Sequence, residues 1–295
     1  MTVEGIMRAG SPKFLFRLFL RLFPPLLLVA AVLPQVHPPA RLEEILKKTG
    51  AYCEKLKGVA LHFVCQEKIK ETINEFKDVV VMTSAGRSII QYSGALITRK
   101  SVKNSFLYDY QMIKKGENLS ERRNLLEENG KARDERDVPL KTGRWSSKYL
   151  VYGPFGFLSQ DWQPHFQYEI VDSERINGKR SVVVRATPRE VTAENYCFGR
   201  LWIDESDGSV LQIEWEPASI QGFQDKVTTQ AGEMKRALSW TVRYDVVKNG
   251  IRFPGRQNIK EIYTGSRGRK YTKYEAEYQY LKYKFFTVET EVRYR

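Results

Sequence analysis

From about residue 59 to the C-terminus, apolar and polar residues alternate with a period of two, as in strands with one buried and one wetter face. Phe106, Tyr108, Tyr110 and Met112 alternate with Leu107, Asp109, Gln111 and Ile113, and Phe166, Tyr168 and Ile170 alternate with Gln167 and Glu169. The same rhythm groups Leu211, Ile213 and Trp215; then Trp240, Val242, Tyr244 and Val246; then Tyr274, Ala276, Tyr278 and Tyr280. Asn129-Gly130, Asn177-Gly178, Asp207-Gly208 and Asn249-Gly250 lie between candidate strands, and such pairs favour tight hairpin turns because both residues tolerate positive φ. An antiparallel meander is therefore predicted. Residues 41 to 57 depart from the pattern, with Leu42, Ile45, Leu46, Tyr52 and Leu56 near helical spacing and Gly58 as a stop signal.

A large antiparallel sheet with one apolar face must curl or be covered, and a single helix of this length cannot cover it. The expected fold is mainly β with an N-terminal helix, the meander curving into a half-barrel or open barrel. Small-barrel interiors are either filled by side chains or hollowed around one ligand, and both states are open at this point. A hollow barrel makes Phe106, Tyr108, Tyr110, Met112, Phe166, Tyr168, Leu211, Ile213, Trp215, Trp240, Tyr244, Tyr274, Tyr278 and Tyr280 the candidate lining. Their hydroxyl and indole N–H groups need partners, which a wet-mouthed cavity supplies more readily than a dry core. Val151 to Leu158 is apolar but broken by Gly153, Pro154 and Gly156, so it reads as a plug or rim, with Phe155, Phe157 and Leu158 as rim or lid candidates. Residues 222 to 236 lack periodicity and read as a mobile connection or lid.

Ahead of the helix, Arg8, Lys13, Arg17 and Arg21 precede the apolar stretch Leu22 to Leu33, broken by Pro24-Pro25, and a Pro-rich exit ending at Ala40. Basic segment, short apolar core and helix-breaking exit describe a secretory signal over residues 1–40, with an uncleaved anchor as the alternative; residues 41–295 then form one exported, periplasmic domain. An oxidising compartment suits a Cys53–Cys65 disulfide, which would close a short loop worth roughly 3 kcal/mol; two buried free thiols are the other reading. Cys197 reads as a core thiol. The formal charge is +13, and residues 1–40 account for +3 of it, leaving +10 on the remainder. Acidic residues interleave with the basic ones and no recognition signature is present, so nucleic acid is not an expected partner. Three His and three Cys make a transition-metal centre improbable, and no cofactor is expected. The chain also lacks a nucleophile elbow, a phosphate loop and a His-Glu-x-x-His helix, so it does not read as an enzyme.

Three further features share one pattern: the hairpin Gly199-Arg-Leu-Trp-Ile-Asp204 to Gly208-Ser-Val-Leu-Gln-Ile-Glu-Trp215, the segment Tyr244-Asp-Val-Val-Lys-Asn-Gly-Ile-Arg-Phe-Pro254, and a terminal strand ending Tyr283-Lys-Phe-Phe-Thr-Val288. With the N-terminal signal and helix, they resemble the LolA-like lipoprotein-carrier superfamily of exported Gram-negative proteins. Tyr52-Cys53, Phe63-Val-Cys-Gln-Glu67 and Gly153-Pro-Phe-Gly-Phe-Leu158 narrow the resemblance to a branch of exported bacterial proteins. The resemblance implies a half-barrel around an apolar cavity, and a lipid or lipoprotein acyl chains as ligand. Some members of the superfamily sense envelope components, which implies envelope membrane proteins as alternative partners of a filled barrel.

Overall fold

The computed structural model describes residues 39–58, 62–82, 90–115, 118–145, 150–191, 198–220, 222–229, 232–265 and 267–286. The expected leader up to residue 38, and Cys197, lie outside these. Helix α1 (Pro39–Gly58) opens the chain, with Pro at its first position, where a missing N–H costs nothing, and Lys55 and Lys57 in its last turn, facing the negative end of its dipole.

Fourteen strands follow among the described residues: β1 (Phe63–Met82), β2 (Ile90–Lys115), β3 (Asn118–Glu128), β4 (Lys131–Glu135), β5 (Phe166–Ile176), β6 (Lys179–Pro188), β7 (Gly199–Asp204), β8 (Val210–Trp215), β9 (Lys226–Thr229), β10 (Gly232–Arg243), β11 (Val246–Lys248), β12 (Ile251–Phe253), β13 (Arg256–Thr264) and β14 (Lys270–Phe285). Their main sheet runs β4-β3-β2-β1-β14-β13-β10-β8-β7-β6-β5, all antiparallel, with β9 against β10 and β11 paired to β12 alone. The sheet is open. Its two edges, β4 and β5, are consecutive in the chain, so the segment between them, residues 136–165, has to travel from one edge to the other.

Three Asn-Gly turns take the geometry their sequence demands, with φ of 51° and 76° at Asn129-Gly130, 50° and 79° at Asn177-Gly178, and 51° and 70° at Asn249-Gly250. Asp207-Gly208 behaves differently. Only Gly208 has positive φ, while Asp207 Oδ1 accepts hydrogen bonds from the Ser209 amide and hydroxyl at 2.9 and 2.6 Å. This turn meets the helix: Arg41 pairs with Glu205 at 2.7 Å, and Lys48 donates to the Glu205 carbonyl at 3.1 Å.

Within residues 222 to 236, the described parts 226–229 and 232–236 are strand, which the lack of periodicity did not suggest. Residues 226–229 form β9, which pairs antiparallel with the start of β10, so this part of the expected mobile connection is added to the sheet. The disulfide is not formed. Cys53 and Cys65 are separate buried thiols: Cys53 on α1 turns its Sγ toward the Pro154 carbonyl at 3.9 Å, whereas Cys65 on β1 sits opposite Tyr110. Burial, then the charge of Glu54, pushes the Cys53 thiol up to about 12. Burial, then the charge of Glu67, pushes Cys65 well up too.

Candidate functional site

Alternation carries most of the predicted lining to one face. Phe106, Tyr108, Tyr110, Met112, Phe166, Ile213, Trp240, Tyr244, Tyr274, Tyr278 and Tyr280 are buried in one core cluster, with Tyr168 and Trp215 packed against it half-buried. Leu211 is the exception and corrects the expectation. The register shifts between Trp202 and Ile203 on β7, so Leu211 on the bulged β8 faces the other side of the sheet and packs with Val183 and Trp202. Of the rim candidates, Phe157 and Leu158 are buried and Phe155 is half-buried, all on the short helix α2 (Phe155–Leu158). Phe157 meets Phe166 at 6.0 Å and Trp215 edge-on at 5.7 Å.

What covers this face is the crossing segment itself, joined by α1, which contributes Ile45, Tyr52, Cys53 and Leu56 to the same core. The segment is held by one backbone bond and then by side chains of the sheet, taken in strand order. Its Val138 amide donates to the Arg123 carbonyl of β3 at 2.9 Å. Next, the Lys141 amide donates to the Tyr108 hydroxyl on β2 at 3.1 Å, and the Gly143 amide to Glu71 on β1 at 3.1 Å. Tyr278 on β14 donates to the Trp145 carbonyl at 3.2 Å, and the Trp145 indole N–H to Glu261 on β13 at 3.2 Å. Past residues 146–149, Tyr244 donates to the Leu150 carbonyl at 2.8 Å, and Tyr168 on β5 donates to the Phe157 carbonyl. A Cβ at Gly153 would lie 2.5 Å from the Tyr244 hydroxyl, so only glycine lets the backbone come this close.

These bonds answer the question the tyrosines posed. The hydroxyls of Tyr108, Tyr168, Tyr244 and Tyr278 find peptide groups of the chain's own crossing segment where a wet-mouthed cavity would have offered water. Burial pushes the Tyr108 hydroxyl up to about 12 and holds Tyr168, Tyr244 and Tyr278 above the ordinary range, so all four stay protonated near neutral pH. The Trp240 indole packs on Trp145 of the segment at 6.4 Å between ring centres, and its buried N–H has no hydrogen-bond partner among the described residues.

Beside the aromatic residues runs a belt of buried charge that alternation alone did not single out as functional. On its β1–β3 side, Arg123 pairs with Glu67 at 2.6 Å and with Glu121 at 3.5 Å, lies over the Tyr110 ring at 4.7 Å, and Tyr110 donates to Glu121 at 2.5 Å. A void of about 10 Å³, room for one water, opens between Arg123, Glu121, Tyr110, Tyr280, Leu150 and Pro254. Glu71 accepts from Asn104 at 2.7 Å and Tyr274 at 3.1 Å besides Gly143. At the far side, fully buried Glu261 binds Arg144 and Arg236, the latter at 2.6 Å. The signal was present in the sequence: Glu67 and Glu71 share the phase of Phe63, Cys65, Ile69 and Ile73, and Glu261 that of Ile259 and Tyr263. A carboxylate in phase with a buried apolar row needs a partner, and here the crossing segment supplies part of it.

The fold and its covered face define an open antiparallel half-barrel closed by its own chain. Among solved structures, its fold is similar to a domain named for outer membrane lipoprotein sorting from Vibrio parahaemolyticus, at 11% identity and a TM-score of 0.35 over 83% of this chain and 95% of that one. It is also similar to a LolA superfamily protein from Nitrosomonas europaea, at 11% identity and a TM-score of 0.30 over 84% and 94% of the two chains. A DUF1329 family protein from Desulfovibrio piger aligns at 9% identity and a TM-score of 0.35 over 83% and 95%. No protein-family model and no curated protein sequence matches the chain.

Proposed function

We propose that this is an exported, periplasmic binding protein that carries a lipid, or the acyl chains of a lipoprotein, against the aromatic face of its half-barrel, with residues 136–165 as a displaceable gate. The observation that carries this reading is how the segment is attached. It crosses a face of Tyr, Trp and Phe through separate hydrogen bonds, each neutral one worth only about 1 kcal/mol net, and the Arg144–Glu261 ion pair, instead of through a strand ladder. Such bonds break one by one. Displacement would free a contiguous apolar trough whose hydroxyls then face the ligand or water. Export of the carrier rests on the basic and apolar residues before Pro34. The competing reading is an interaction module for envelope membrane proteins, favoured by the same core being already occupied by α1 and the crossing segment.

Contact quenching separates the two. A brominated acyl chain added to the purified protein should quench tryptophan emission saturably, and Trp240→Phe should remove the largest share of the quenched signal. Quenching that never saturates, or that is unchanged in Trp240→Phe, would assign the face to a permanently filled core.

A further inference from the structure

The strands β1 and β2 run on past the rest of the sheet. β1 pairs with β14 only as far as Ile73, and β2 pairs with β3 only from Phe106, yet the two stay paired to each other out to Met82 and Ile90. Residues 74–82 and 90–101 therefore leave the sheet as a two-stranded ribbon, with no further strand on either edge among the described residues. A ribbon of this kind is marginal in water on its own, and exposed edges are ordinarily guarded by charge or proline. The far part has neither: after Val79, Val80-Val-Met82 lies opposite Ile90-Gln-Tyr92. Successive strand positions belong to opposite faces, so the run Val79 to Met82 places apolar positions on both faces of the ribbon. A strand that docks on a protein core would need only one.

The root of the ribbon is anchored and basic. Tyr271 of β14 meets Phe76 edge-on at 5.7 Å and accepts from the Leu96 amide at 3.2 Å, while Asn74 donates to the Thr272 carbonyl at 2.8 Å. These contacts set the β13–β14 turn beside the root. Lys77, Arg99 and Lys100 on the ribbon stand against Glu75 and Asp78, and the turn adds Arg267, Arg269 and Lys270 with no acidic residue. All six cations are exposed, and none makes an ion pair among the described residues. The adjoining β9–β10 hairpin cancels none of this charge, since its Lys226 and Lys235 match Asp225 and Glu233. Exposed Ile97, opposite Lys77, and half-buried Phe76 and Val227 continue the apolar surface down to this collar. We propose that this end of the molecule docks on an anionic lipid bilayer, with the ribbon in the head-group layer and the six cations around its root facing the lipid charges. The unpaired N–H and C=O groups of the ribbon edges need water or head groups, which holds the ribbon at the interface and out of the hydrocarbon. Each cation close to such a surface strengthens binding about five-fold. Docking of this kind does not depend on whether the aromatic face carries a ligand.

The test uses the full chain with Val81→Trp as a reporter on the ribbon. The vesicles are phosphatidylcholine alone, or phosphatidylcholine and phosphatidylglycerol in equal parts, brominated near the head of the acyl chains. Mixed vesicles should quench the added tryptophan, read as the difference from the parent protein, and should bind at least about ten-fold more tightly than neutral ones. Arg267→Gln, Arg269→Gln and Lys270→Gln together should remove most of that preference. Arg175→Gln, Arg180→Gln and Arg185→Gln together take the same charge from the β5–β6 hairpin and should leave it unchanged. Vesicle binding without quenching of the added tryptophan would assign the contact to another segment of the chain and overturn the proposal. Equal binding to both kinds of vesicle, or equal loss in both triple variants, would overturn it by removing the cationic collar. Absence of vesicle binding overturns it too, and concentration-dependent self-association in that case would give the ribbon to a second copy of the chain.

Discussion

Replacing Glu261 by Ala is expected to lower the unfolding free energy by about 3–5 kcal/mol, the usual cost of removing one partner from a buried ion cluster. The carboxylate is fully buried, and the loss falls mainly on Arg236, whose side chain is 9% exposed and cannot turn to water. Arg144, more exposed, can. Burial works to raise the Glu261 carboxyl, but the hydrogen bond and charge of Arg144, the charge of Arg236 and the Trp145 bond together hold it below the usual range. A carboxyl lowered in the folded state stabilises above its unfolded pKa, about 4.3, and this contribution disappears as pH falls through the folded value. Urea unfolding at neutral pH and between pH 5 and pH 3 should therefore show a smaller acid loss in Glu261→Gln than in the wild type. An unchanged acid limb in that variant would mean that Glu261 does not contribute to the acid loss of stability.

Trp240→Ala is expected to cost about 3–5 kcal/mol, as for a large aromatic truncated in a packed core. An open cavity would have made this cost smaller, because water or ligand could occupy the space left behind. The closed crossing segment changes the expectation: Trp240 is 6% exposed and packed on Trp145, so truncation leaves a void between sheet and segment. Because the lost contact lies on the segment, Trp240→Ala should also increase native-state proteolysis within residues 136–165 relative to the β10–β13 ladder. A loss of under about 1 kcal/mol in urea unfolding would mean that the two indoles do not hold segment and sheet together.

Much of this arrangement was legible before the structure. Period-two alternation and the Asn-Gly turns announced the meander, and the spacing from Leu42 to Leu56 announced the helix, observed as Pro39–Gly58. Leu211 was misplaced because a bulge on β8 reverses the phase of one strand, and nothing in Val210-Leu-Gln-Ile213 marks where it falls. Val151 to Leu158 was recognisable as a non-strand, but its route was not, since that depends on β4 and β5 becoming opposite edges of one sheet. Pairing partners of distant strands are a long-range property that alternation does not encode. For the same reason the partners of Glu71 and Glu261 were hidden: the sequence showed carboxylates in phase with a core, and only the topology brings Gly143, Arg144 and Trp145 across to them. The free thiols follow from direction as well, since Cys53 faces α2 and Cys65 lies within the sheet.

In the carrier proposed above, the segment that covers the aromatic face leaves it when a ligand arrives. Hydrogen exchange at the amides of Val138, Lys141 and Gly143, which are bound respectively to Arg123, Tyr108 and Glu71, reads that event directly. Saturating a single-chain amphiphile should speed exchange at these three amides while the β13–β14 ladder keeps its protection. Unchanged or slower exchange at all three, with the amphiphile demonstrably bound, would mean that the segment stays in place and that the half-barrel carries nothing beneath it.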